Sequence, residues 1–111
     1  MPTSDVRLVL CTAPDSHSQV IADALVGARL VACVNIISGV SSVYRWQGVI
    51  ERAQEDLLMM KTVQNKFPEL ERAIREAHPY DVPEIISLNV DSGGADYLSW
   101  VAQSVSETDG L

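Results

Sequence analysis

Residues 32–62 form a stretch without proline that consists of two arms favouring β-structure. The first arm is rich in β-branched and aromatic residues, and the second alternates apolar and charged residues before the apolar run LLMM at 57–60. Gln47-Gly48 separates the arms and favours a two-residue hairpin turn. Each arm has roughly 13 residues, whereas a typical strand has about 5 or 6. The fold must therefore accommodate a long hairpin whose far end projects beyond a small sheet.

Apolar periodicity on both sides of the hairpin predicts two more strands and three helices. The first helix starts with a Ser16–Gln19 capping box, and Pro68 is acceptable in the first turn of the second helix. Pro83 argues that the last strand begins there or lies at an edge. In chain order, the predicted flanking elements are a strand at 6–11, a helix at 16–29, a helix from Pro68 to Pro79, a strand at 82–90 and a helix at 95–106.

The order β-α-β-β-α-β-α predicts an α+β, ferredoxin-like (split βαβ) sandwich with a long β2-β3 hairpin and an appended C-terminal helix. We expect one domain over residues 1–111, with a core at about 5–106 and fraying at 1–4 and 107–111. The expected strand order is 4-1-3-2, with the first and third strands parallel at the centre.

The strands are apolar on both faces, as residues 8–10, 57–60 and 85–86 show. In a ferredoxin-like fold, two helices cover only one face of the sheet. A large exposed apolar face is uncommon on a monomer. We therefore expect the appended helix and further copies of the same chain to cover the second face.

Charge and cysteine content exclude several classes of partner. The net charge of −7 repels phosphate backbones and anionic lipid, so neither nucleic acid nor a membrane surface is an expected partner. No apolar run approaches the roughly 18 residues of a membrane span. Two cysteines and no secretory leader favour a cytoplasmic protein.

Several separated motifs resemble those of the CutA family, whose name is linked to divalent cation tolerance. They are CTAP at 11–14, ACVNI at 32–36, Y-x-W-x-G-x-I-E at 44–51, KT at 61–62, HPYDVPEI at 78–85 and YLSW at 97–100. The resemblance implies a ferredoxin-like homotrimer, similar to PII signalling proteins, in which hairpins of neighbouring subunits pair. It also implies copper binding. The chain departs from the family pattern at Asp81, where glutamate is usual, and at Pro68.

The resemblance implies that Cys11, His78 and Glu84 are the metal ligands. If the first and last strands are antiparallel neighbours, these residues lie at one end of the sheet. Thiolate, imidazole and carboxylate together suit copper, or zinc or another divalent metal, better than magnesium or calcium. Each residue also has a simpler role: a buried core thiol for Cys11, a helix cap for His78 and an ion pair for Glu84.

Two groups of side chains have alternative roles. Tyr44 and Trp46 favour packing in an interface over stacking on a ligand, and Tyr80 is placed by fold analogy at a cleft between subunits. Arg45 and Arg52 either bind an anion or, in these acidic surroundings, meet carboxylates of a neighbouring chain.

The predicted function is divalent cation tolerance, with binding of copper or another divalent metal ion by a homotrimer. The alternative is a PII-like regulatory or scaffolding trimer that binds a small molecule or a partner protein at clefts between subunits. No phosphate loop, G-x-S-x-G or H-E-x-x-H motif occurs, and a Cys11–His78 pair lacks the electropositive setting of a nucleophile. We therefore expect no enzymatic activity.

Overall fold

A computed structural model describes residues 5–106 of the chain. The elements are β1 (Val6–Ala13), α1 (Asp15–Gly27), β2 (Cys33–Trp46), β3 (Val49–Val63), α2 (Phe67–Ala77), β4 (Ile86–Asn89) and α3 (Ala95–Ser104). This order confirms the ferredoxin-like arrangement with its long hairpin and added helix. The last strand is shorter than predicted, because the segment before Ile86 is irregular. The segments expected to fray, 1–4 and 107–111, lie outside the described residues.

The four strands lie in the order β2-β3-β1-β4, as the sequence predicts. The expectation that the first and third strands are parallel is wrong. They pair antiparallel, with Val6 opposite Val63 and Ala13 opposite Asp56. The reason is the hairpin: β3 returns antiparallel to β2, while the crossover through α1 makes β2 parallel to β1. β3 therefore runs opposite to both of its neighbours.

Positive backbone φ angles shape the hairpin at two places. Gln47 and Gly48 have φ of 51° and 82°, as a two-residue turn of type I′ requires, and this confirms the predicted turn. Between Ile37 and Val40 the pairing with β3 shifts by one residue, and Gly39 lies in this bulge with φ of 77°. The hairpin contributes to the elongated shape of the subunit, which measures 49 × 25 × 23 Å.

We expect Gly39→Ala to lower the free energy of unfolding by about 1–2 kcal/mol, because an L-residue is strained at this φ. An added Cβ would meet no atom within 4 Å, so the effect comes from the backbone alone. Gly27→Ala is the matched control: that site at the end of α1 is equally open, lacks a positive φ, and should gain up to about 1 kcal/mol. Chemical denaturation at equal protein concentration measures both, and equal effects would contradict the strain.

Helices α1 and α2 pack on one face of the sheet and form the main core. Their buried partners on the strands include Val9, Cys11, Leu58 and Met60. Helix α3 packs on the opposite face, where Leu98 and Val101 join a second cluster with Val6 and Val63. No helix within residues 5–106 is long and apolar enough to cross a membrane.

The predicted capping box of α1 is wrong. The helix begins at Asp15, directly after Pro14, which occupies the N-cap position without a side-chain hydrogen bond. Ser16 therefore lies inside the first turn and contacts the neighbouring ring of His17, and Gln19 donates instead to Asp23. The fixed φ of proline favours an N-cap at Pro14, two residues before Ser16.

The second sheet face is covered at one end only. Helix α3 covers the end near Val6 and Val63, and the rest of that face is apolar and partly exposed. Ile37, Ile86 and Leu88 are 46%, 48% and 42% exposed. Together with the half-buried Leu8, Leu10, Leu57 and Met59, we call these residues the open apolar face.

Candidate functional site

A groove of about 730 Å³ lies between the hairpin and the irregular segment that follows α2. Strand β2 supplies one wall, residues 80–84 supply the other, and Thr12 at the end of β1 lies between them. Its volume is in the range of small-molecule binding sites. The aromatic and acidic residues that line it are Tyr44, Trp46, Tyr80, Glu55, Asp81 and Glu84.

A hydrogen bond connects the wall formed by residues 80–84 to strand β3 of the hairpin. The Tyr80 hydroxyl donates to Oε2 of Glu55 over 2.8 Å. Burial, and then the bond to this carboxylate, raises the pKa of Tyr80 to about 12. Tyr80 therefore remains a hydrogen-bond donor at physiological pH and fixes the Glu55 carboxylate in the groove.

His78 links this pair to the sheet. Its Nε2–H donates to the carbonyl oxygen of Thr12 over 2.7 Å, and its Nδ1 accepts from the backbone N–H of Tyr80 over 3.2 Å. The His78 and Tyr80 rings also contact each other, with centroids 4.7 Å apart. Both ring nitrogens are thus engaged, so the imidazole has no free lone pair for a metal ion.

Cys11 lies at the same strand end but on the helix side of the sheet. It is fully buried in the main core, and its thiol donates weakly to the Thr12 carbonyl oxygen over 3.6 Å. Burial, with the nearby charges of Glu84 and Glu55, raises the pKa of Cys11 to about 12. In the metal-free protein Cys11 is therefore a protonated core thiol at neutral pH.

The structure brings Cys11, His78 and Glu84 to one end of the sheet, as predicted from the antiparallel neighbours β1 and β4. It does not arrange them as a chelating set. Cys11 and His78 both donate to the Thr12 carbonyl, whereas Glu84 is exposed in the groove. Among residues 5–106, no three His, Cys, Asp or Glu side chains are grouped to hold a metal ion. Of the three predicted ligands, only Glu84 has its donor atoms available to a cation.

Sequence reasoning missed the role of Glu55. The alternation of β3 placed it on a strand, and the sequence offered it only as one of the carboxylates of a neighbouring chain that Arg45 and Arg52 meet. Only the bulge in β2 and the position of Tyr80 create its surroundings, and neither follows from the pattern of β3. The neighbouring Asp56 is also buried, and it accepts a 2.5 Å hydrogen bond from Ser18 on α1.

The fold and the groove define an α+β ferredoxin-like protein with an elongated hairpin and a ligand-sized cleft along the far half of that hairpin. The chain belongs to the CutA1 divalent ion tolerance protein family, whose model matches residues 7–104. It is 45% identical to the divalent-cation tolerance protein CutA of Thermus thermophilus. The 99 aligned residues cover 88% of this chain and 96% of that relative.

Solved structures of the family share the whole fold. The crystal structure of CutA from Xylella fastidiosa matches with a TM-score of 0.90 and 38% identity, over 93% of this chain and all of that chain (100%). A protein from Nostoc described as PII-like CutA in apo form matches with a TM-score of 0.85 and 33% identity, over 90% and 97% of the two chains. The PII-like character of the fold is therefore supported by a structural relative.

Proposed function

We propose that this protein acts in tolerance of copper or other divalent cations, and that it does so as a homotrimer that binds the cations. Membership of the divalent ion tolerance family is the observation that carries the cation part of the proposal. The function is one of binding and has no catalytic step. Two free thiols, Cys11 and Cys33, suit a reducing cytoplasm as its location.

The open apolar face supports the assembly. Its residues extend across all four strands, and a face of this kind requires a partner to exclude water. Strands β2 and β4 also lie at the two edges of the sheet within the subunit, so each offers backbone groups for pairing with another chain. Copies of the same chain would satisfy both requirements in a closed ring.

We propose Glu84 as the contact for the cation, because its carboxylate is exposed while Cys11 and His78 are engaged within the fold. An ion held by few carboxylates keeps part of its water or takes ligands from a neighbouring subunit. Oxygen donors favour hard divalent cations, whereas copper coordination by sulfur and nitrogen would require Cys11 and His78 to leave the Thr12 carbonyl.

Competition with a chelator of known affinity tests this proposal, with copper(II) and manganese(II) as the two ions. We expect Glu84→Gln to weaken binding about tenfold or more, because the substitution removes the charged ligand. Glu69→Gln, an exposed site in the first turn of α2, is the control and should bind like the wild type. Equal affinity in all three proteins would contradict cation binding at Glu84.

The groove supports a second candidate function, a PII-like trimer that regulates or scaffolds through a ligand. Its volume of about 730 Å³ and its aromatic walls are the observations in favour, because a site for a hydrated ion alone needs neither. The ligand is a small molecule or a side chain from a partner protein.

A further inference from the structure

The groove has one sign of charge. Glu55, Asp81 and Glu84 contribute three carboxylates, and none of its lining residues is lysine, arginine or histidine. Low-dielectric walls focus such a field toward the opening. A phosphate or carboxylate ligand would be repelled, whereas a cation would be attracted.

Glu55 has an oxygen available for a ligand. Its side chain is buried, with only 5% of the residue exposed, and Tyr80 satisfies Oε2. Within residues 5–106, Oε1 has no hydrogen-bond partner, and no basic side chain lies within ion-pair distance of the carboxylate. No side-chain oxygen within residues 5–106 is both fully buried and without a partner, so Oε1 keeps contact with solvent at the groove and is available to a cation.

Aromatic rings line the same groove, Tyr80 in contact with Glu55 and the others farther along β2 toward the turn. Tyr44 and Trp46 line the hairpin wall, and Tyr80 lines the wall opposite. Aromatic faces attract organic cations, and the attraction increases where water is excluded. A groove with both rings and carboxylates should bind an organic cation in preference to a bare metal ion, because the metal ion gains little from aromatic walls.

We propose that this groove binds an organic cation, an ammonium or guanidinium group on an apolar stem, with its charge on Glu55. The inference depends on the second candidate function, ligand binding in the groove, and specifies the class of ligand. The planar guanidinium has several N–H donors, which match the free Oε1 and the neighbouring carboxylates. The stem lies against the aromatic walls.

The cation has two sources, a free small molecule or an arginine of a neighbouring subunit in the homotrimer. Arg45 and Arg52 project from the far half of the hairpin and are exposed. Nη1 of Arg45 makes a long 3.5 Å contact with the carbonyl oxygen of Gly48 in the turn. Either arginine is a candidate for the groove of the next subunit.

Isothermal titration calorimetry with agmatine, which carries a guanidinium and an ammonium group, tests the inference on the whole 111-residue chain. We expect binding that Glu55→Gln weakens about tenfold or more, because a charged hydrogen bond is lost while the shape is kept. Trp46→Leu, at an exposed site, should also weaken binding, and Glu69→Gln should leave it unchanged. ATP serves as the anionic probe and should not bind.

The outcomes separate the two sources. Agmatine binding to the wild type identifies a free cation as the ligand. Binding that appears only in an Arg45→Gln/Arg52→Gln variant, and is lost when Glu55→Gln is added, identifies the neighbour's arginine. Absence of binding in both backgrounds, or binding indifferent to Glu55→Gln, overturns the inference. ATP binding without agmatine binding overturns it too, but leaves ligand binding in the groove intact.

Discussion

In the proposed homotrimer, replacement of Ile86 and Leu88 together by glutamate is expected to dissociate the assembly into folded monomers. Both side chains lie on the open apolar face and are 48% and 42% exposed in the single subunit. A charge at either site therefore costs the isolated subunit little. In an assembly that buries this face, the two carboxylates per chain would be removed from water without a partner, at a cost of several kcal/mol.

Sedimentation at low micromolar concentration measures the change, from three times the chain mass of 12.1 kDa to that mass itself. Circular dichroism should show that the variant keeps its secondary structure. Val20→Glu is the control, because Val20 is 68% exposed on α1, away from the open apolar face, and the assembly should persist. A double variant that remains a trimer would show that this face is not the interface.

The hairpin was predictable because its determinants are local. The first arm is rich in β-branched and aromatic residues, the second alternates apolar and charged residues from Val49, and Gln47-Gly48 marks the turn between them. The turn residues also permit the positive φ angles that the structure shows. The direction of β3 relative to β1 depends instead on how the crossover places β2, and the local pattern does not carry that information.

The candidate site was less predictable because it depends on which group each side chain forms a hydrogen bond with. The sequence correctly places Cys11, His78 and Glu84 near one another, since the strand order and the antiparallel β1–β4 pair bring them to one end of the sheet. It cannot show that the Thr12 carbonyl occupies both the thiol and the imidazole. Residue types alone therefore predict a chelating trio, which stays a prediction, and do not reveal that two of its members donate to one backbone carbonyl.

His78→Ala is expected to destabilise the fold more than it alters metal binding. The ring connects the end of β1 to the segment after α2, through the bonds with the Thr12 carbonyl and the Tyr80 N–H. Its removal leaves buried polar groups without these partners, which costs about 1–3 kcal/mol. The substitution also removes the acceptor of the Tyr80 N–H, so Tyr80 should become more mobile and its hydrogen bond to Glu55 should weaken.

Chemical denaturation at equal protein concentration measures the loss, and chelator competition on the folded fraction measures copper affinity. Glu84→Gln should show the opposite pattern. Because Glu84 is exposed, the variant's free energy of unfolding should stay within about 0.5 kcal/mol of the wild-type value, while its cation affinity falls. If His78→Ala instead abolished copper binding at unchanged stability, the imidazole would be a metal ligand, and its bonds to the backbone would have to yield to the ion. The two variants together therefore decide whether this strand end supports the groove or coordinates the metal.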